Sequence, residues 1–212
     1  MNISHDTTPP ADYEPPTDLD WHRSTLDEIM RHFGSDKSSL DHGYCDIYDA
    51  YLRTWRLRRV NLLEIGVACG ASLKGWSRYF PNGGIVGADI RPECAGLCAA
   101  YPNIWIDIGD ATKQVFGTLW DIVIDDGSHV SQDIADAFRL HWPMLTPSGI
   151  YAIEDTRCTW SGYRTHLQPD AARYSRRHYV ELIDDLMRQC DGGHDVEYVH
   201  HYRELTIIKK RG

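Results

Sequence analysis

The chain has 212 residues, of which 42% are hydrophobic and 25% charged, and a formal net charge of −9. That size and composition suit one well-buried soluble domain, with no apolar run long enough for a membrane-spanning helix. The acidic balance argues against a nucleic-acid partner, which selects for a basic face.

Residues 1–20 are polar and carry Pro9, Pro10, Pro15 and Pro16. They lack the basic start and apolar middle of an export signal. They read as a flexible tail before one domain over 21–212, whose 21–58 part is helical. The cysteines are Cys45, Cys69, Cys94, Cys98, Cys158 and Cys190, with no C-x-x-C pair. Without an export signal, reduced thiols in a cytoplasm are expected.

Apolar spacing predicts a helix over 26–33, interrupted by Gly34-Ser35-Asp36-Lys37. A second helix is predicted over 44–55, with Tyr44, Ile47, Tyr48, Tyr51 and Leu52 at helical spacing. Strands and helices then alternate. Strands are predicted over 60–66, 84–90, 104–107, 120–125 and 150–154, and helices over 72–80, 93–100, 111–116 and 131–144. Thr146-Pro147-Ser148-Gly149 reads as a turn into the fifth strand. A long helix over 173–190 carries Tyr179, Leu182, Ile183 and Leu186 on its apolar stripe, and strands over 196–202 and 204–210 close the chain as an antiparallel hairpin. The pattern predicts an α/β fold, a mostly parallel seven-stranded sheet with helices on both faces.

In such sheets ligands gather at the C-terminal strand ends. The first strand runs into Glu64-Ile65-Gly66-Val67-Ala68-Cys69-Gly70. This is G-x-x-x-G rather than the dinucleotide G-x-G-x-x-G. Its glycines either make a tight structural turn or let a ligand approach the backbone. The second strand reaches Asp89, where a carboxylate can accept ribose hydroxyls, and the third runs into Gly109-Asp110-Ala111. The fourth ends in Asp125-Asp126-Gly127-Ser128-His129 and the fifth in Ile153-Glu154-Asp155. Asp126, Glu154 and Asp155 offer hard oxygens to a divalent cation, which favours Mg²⁺, with Mn²⁺ or Ca²⁺ as alternatives. The other reading is that these acids cap the helices that follow. His129 stands three residues past Asp126 as a nearby base. That set points to metal-assisted removal of a proton from an oxygen nucleophile.

Glu64-x-Gly66-x-x-x-Gly70 together with Asp89 resembles the class I S-adenosylmethionine-dependent methyltransferases. The resemblance implies their Rossmann-like fold, with Glu64, Gly66, Gly70, Asp89 and Asp110 at the cofactor. A narrower resemblance, over about 26–210, is to the metal-dependent sugar O-methyltransferases of macrolide deoxysugars and of actinobacterial mannose-containing polysaccharides. It rests on Gly34-Ser35-Asp36-Lys37, His42-x-Tyr44, the Asp125–His129 run, Ile153-Glu154-Asp155 and Glu204-Leu205-Thr206-Ile207-Ile208-Lys209. It implies Asp126, Glu154 and Asp155 as metal ligands, His129 as general base, Lys37 at the cofactor, and His42 and Tyr44 at the substrate. Trp160 and Tyr163 follow the metal acids and read as either a sugar-stacking lid or a packed loop.

The expected activity is S-adenosylmethionine- and Mg²⁺-dependent methylation of a sugar hydroxyl, on a mannoside or other small glycoside of polysaccharide synthesis. The alternatives are a natural-product hydroxyl (a macrolide deoxysugar or a catechol-like group) and a non-catalytic binding module of the same fold. Expected partners are a small glycoside or oligosaccharide and a second copy in a homodimer, with neither nucleic acid nor membrane.

Overall fold

Seven short β-branched and apolar runs form one sheet in a computed structural model that describes residues 19–117, 119–159 and 175–212. In chain order the elements are α1 (Leu26–Phe33), α2 (Cys45–Leu52), β1 (Asn61–Ile65), α3 (Ala71–Tyr79), β2 (Gly84–Asp89), β3 (Ile104–Ile108), β4 (Trp120–Asp125), α4 (Ser131–His141), β5 (Leu145–Ile153), α5 (Arg177–Asp191), β6 (Val196–His201) and β7 (Thr206–Lys210). The strand order is β3-β2-β1-β4-β5-β7-β6. The first five strands are parallel, and β7 runs antiparallel to both β5 and β6. The order reverses between β1 and β4, which is where open α/β sheets leave a crevice.

The two-residue period of a strand sorts the core. Leu62, Ile122, Ile124, Ile150 and Ala152 pack on the face covered by α1, α2 and α3. Leu63, Ile65, Val123, Tyr151 and Ile153 pack on the face covered by α4 and α5. The same parity turns Glu64 and Glu154 toward the α1–α3 face and Asp125 toward the other. In register, Ile65 pairs with Asp125, and Asp125 with Ile153. The acids that follow β4 and β5 therefore leave the sheet side by side.

The N-terminal segment is tied down by local chemistry. Thr25 and Glu28 form a capping box at the start of α1, and Gly34 ends the helix at φ 69°. The chain then folds over the strand ends. The Lys37 carbonyl accepts from the Tyr44 and Cys45 N–H groups at the start of α2.

Several predicted elements are corrected. The 44–55 helix divides into α2 and a 3₁₀ turn, Arg53–Trp55. The 93–100 helix is only a 3₁₀ turn, Pro92–Gly96, followed by turns. The 111–116 helix is absent. Asp110 instead accepts from the Thr112 N–H and hydroxyl, closing a local turn that competes with helix. The 146–149 turn lies inside β5: Trp120 pairs with Leu145 but Ile122 with Ile150, so the extra residues bulge out around Ser148 at φ 63°. The start of the 173–190 helix, at 173 and 174, lies outside the described residues. All six cysteines are free thiols, and no helix among the described residues is long and apolar enough to cross a membrane.

Gly66 sits at φ 94°, and a Cβ there would lie 2.1 Å from the Asp126 carbonyl oxygen. The approach of β1 to the loop after β4 therefore depends on glycine. Gly66→Ala is expected to cost about 3 kcal/mol or more in urea unfolding. A loss below about 1 kcal/mol would show that the loop yields freely.

Candidate active site

The strand ends meet around a buried cation. Lys37 is 1% exposed. Its Nζ lies 2.5 Å from Asp126 Oδ2, 2.9 Å from Glu154 Oε2 and 3.4 Å from Glu64 Oε1. Burial opposes its charge, but Asp126, Glu154 and Glu64 outweigh that and hold the ammonium well above its ordinary pKa. Glu64 also accepts from the Ser72 hydroxyl at 2.6 Å, which ties β1 to α3. Both Glu154 oxygens are engaged: Tyr48 donates to Oε1 at 2.5 Å while Lys37 holds Oε2. Burial and neighbouring acids push both Glu64 and Glu154 up, with Lys37 pulling the other way. The cluster is short of positive charge.

Asp126, through its Oδ1, and Asp155 also face the cavity at the strand ends. With His129 they form a group whose potential ligand atoms all lie within 4.8 Å of one another. His129 Nε2 is 3.7 Å from Asp155 Oδ2 and 4.0 Å from Asp126 Oδ1. The opposite oxygen of Asp155 accepts from the Tyr44 hydroxyl at 2.7 Å and lies 3.7 Å from His42 Nδ1. His42 also lies 3.6 Å from Glu204 Oε2 and stacks on the Tyr44 ring. Burial, followed by the adjacent carboxylates, pushes the Tyr44 and Tyr48 phenols far up, so both stay protonated and donate. Asp155 and His129 both hold left-handed backbone, at φ 52° and 56°. Such conformations persist in non-glycine residues only where the surroundings enforce them.

Asp125 takes no part in this cluster. It packs on the α4–α5 side, where its Oδ2 and the Tyr151 hydroxyl are both buried without a hydrogen-bond partner. Burial pushes its carboxyl up to about 7.

A cavity of about 770 Å³ joins the strand ends, running from Asp89, Asp110 and Lys113 to Asp126, His129 and Asp155. That volume is within the range of small-molecule sites. Gly66 lines it, whereas Gly70 caps α3 at φ 75°. Asp89 is already fully engaged. Val67 N–H donates to Oδ2 at 2.9 Å, and Arg91 reaches both oxygens through its backbone N–H and guanidinium. Burial would raise its pKa, but these donors outweigh burial and hold the carboxyl well below the usual range. Asp110 is pushed down to about 2 by Lys113 and Thr112.

No family profile matches the chain. It is 34% identical to a rhamnosyl tetracenomycin-C 2'-O-methyltransferase of Streptomyces olivaceus, over 86% of this chain and 53% of that protein. It is 34% identical to an L-olivosyl-oleandolide 3-O-methyltransferase of Streptomyces antibioticus, over 88% of this chain and 54% of that protein. Its fold matches a mycinamycin-pathway methyltransferase solved with Mg, SAH and mycinamycin VI. That match has a TM-score of 0.74 and 26% identity, over 89% of this chain and 55% of that one. The chain has the class I methyltransferase fold and is related to the deoxysugar O-methyltransferases. It spans about half the length of the curated relatives it matches. A tomaymycin-pathway O-methyltransferase of Streptomyces achromogenes shares the fold alone, at 18% identity and a TM-score of 0.55 over 88% of each chain.

In this sugar O-methyltransferase relative the structure brings Gly66, Asp89, Asp110, Asp126, His129 and Asp155 to one cavity. The other described candidates do not line it: Gly70 caps α3, His42 and Tyr44 stand behind Asp155, and Lys37, Glu154 and Glu64 are buried. Lys37, expected at the cofactor, is instead buried among the acids, because an ammonium withdrawn from water needs carboxylate partners. Glu154, expected beside Asp126 and Asp155 on the metal, is turned inward to Lys37 and Tyr48. Glu64 stands behind the glycine turn, with Oε2 buried and unpartnered. Trp160 and Tyr163 lie outside the described residues. Sequence reasoning missed Arg91 on Asp89, Tyr48 on Glu154 and Glu204 on His42. The signals available were the Asp-x-Arg at a strand end and the four-residue spacing of Tyr44 and Tyr48.

Lys37→Met removes the ammonium shared by the buried Glu64 and Glu154 and the partly buried Asp126. The expected loss is about 3–5 kcal/mol in chemical unfolding of the metal-free protein, the usual cost of stranding buried charge. A loss below about 1 kcal/mol would mean that the acids fold neutral and do not need the ammonium.

Proposed function

We propose that the chain transfers a methyl group from S-adenosylmethionine to a sugar hydroxyl of a small glycosylated natural product, with Mg²⁺ as its divalent cation. The observation that carries this reading is the single cavity between the acids of β2 and β3 and the Asp126–His129–Asp155 group. The relatives act, by name, on sugars of tetracenomycin and oleandolide. That favours a natural-product sugar over the mannose polysaccharide expected first.

The residues fit both groups. Two carboxylates and an imidazole converge, and the buried acids behind them outnumber their one cation, so the donor set suits a hard divalent ion. When bound, the cofactor supplies a methyl group already activated on sulfur, and the cation supplies Lewis acidity. The chain supplies orientation and proton transfer. Asp89 is placed to accept ribose hydroxyls once the half-exposed Arg91 side chain gives way. The positive-φ turn from Gly66 to Gly70 keeps the backbone before α3 free of side-chain bulk. Asp126 and Asp155 would hold the cation through their cavity-facing oxygens. Glu154 would join them by giving up its contact with Lys37. His129 Nε2 takes the hydroxyl proton, and the carboxylates beside it stabilise the imidazolium that results.

Methyl transfer from S-adenosylmethionine to deoxysugar glycosides, free mannosides and catechols tests the reading. Turnover is expected on the glycosylated natural product, lost with chelator and restored by Mg²⁺. Full activity in demetallated protein would remove the metal role, and preference for a catechol would remove the sugar. His129→Ala is expected to lower kcat by about 10²–10⁴-fold while leaving the melting temperature and cofactor affinity unchanged. A variant with wild-type kcat, measured where methyl transfer limits the rate, would assign the proton to another group.

A further inference from the structure

Tyr44, Tyr48 and Tyr51 follow one another at spacings of four and three residues, so they line one face of α2 and its N-cap. All three hydroxyls point toward the end of the sheet, but at different targets. Tyr44 donates to Asp155 Oδ1 at 2.7 Å, and Tyr48 to Glu154 Oε1 at 2.5 Å. Tyr51 meets His200 Nδ1 at 2.6 Å and the Tyr202 hydroxyl at 2.5 Å, away from those acids.

A carboxylate has two oxygens and turns about one bond, so a donor fixed on one oxygen decides where the other points. The Tyr44 bond on Oδ1 leaves Asp155 Oδ2 toward His129 and Asp126. The rings themselves are held. Tyr48 meets the buried Trp76 edge-on at 5.3 Å, and Tyr44 stacks on His42 at 5.1 Å. A rigid ring makes a rigid donor.

We propose that Tyr44 is a positioning residue that aims Asp155 at a divalent cation, so that the start of α2 sets the metal affinity of a site built on the sheet. This rests on the metal reading above. Groups that orient a ligand from behind are worth about 10–100-fold in metal affinity.

The test is Mn²⁺ titration of the full chain, followed by the paramagnetic resonance of free Mn²⁺, with melting temperatures measured in parallel. Tyr44→Phe is expected to weaken Mn²⁺ binding about 10–100-fold. Tyr51→Phe removes a hydroxyl from the same helix and is the control, with affinity expected to stay within about twofold of wild type. Unchanged or tighter binding in Tyr44→Phe would overturn the proposal. So would an equal loss in Tyr51→Phe that follows melting temperature, since the effect would then be general loosening. Wild-type protein that binds no Mn²⁺ would instead sink the metal reading, and this inference with it.

Discussion

The arrangement depends on one ammonium withdrawn from water. Lys37 reaches from the N-terminal segment to acids on β1, after β4 and after β5. A buried charge without partners costs far more than a small domain has to spare, so these elements come together as a set. The same residue holds the start of α2 through its carbonyl. Side chain and backbone of one lysine thus fix both the depth of the acids and the position of the helix that carries Tyr44 and Tyr48.

The acids around Lys37 outnumber it, and the parity of the strands divides their labour. Glu64 and Glu154 face the α1–α3 side, where Ser72, Tyr48 and the ammonium hold all their oxygens but Glu64 Oε2. Asp126 and Asp155 remain at the cavity with His129. Asp125, one residue earlier, faces the opposite side and is enclosed beside Tyr151. Adjacent acids in one short motif therefore meet different dielectric surroundings, and such differences separate proton-holding from cation-holding groups.

Backbone strain collects at the same place. Gly66, His129 and Asp155 all adopt positive φ, within reach of one another across the β1, β4 and β5 ends. Glycine does so freely, whereas histidine and aspartate do so at a cost that the packed surroundings must offset. In the related deoxysugar O-methyltransferases the matching segment is about half of a longer protein. The described residues of this chain contain both ends of the cavity.

The sequence by itself determined the elements whose signals are local and the places where chemistry could sit. The helix over 26–33 forms as its apolar spacing predicts, bounded by the Thr25–Glu28 capping box and the left-handed Gly34, because such signals act within a few residues. Alternating apolar runs gave the parallel sheet and its antiparallel hairpin, and with them the strand ends at Asp89, Asp110, Asp126 and Asp155. Local signals misled where a side chain found a closer partner than the helix offered, as Asp110 did with Thr112. Only the tertiary structure decided which way each acid turned. Lys37 lies 117 residues from Glu154 and 89 from Asp126. No periodicity reports that a lysine in a loop will be buried among them. That choice is made by desolvation and Coulomb attraction across the assembled sheet.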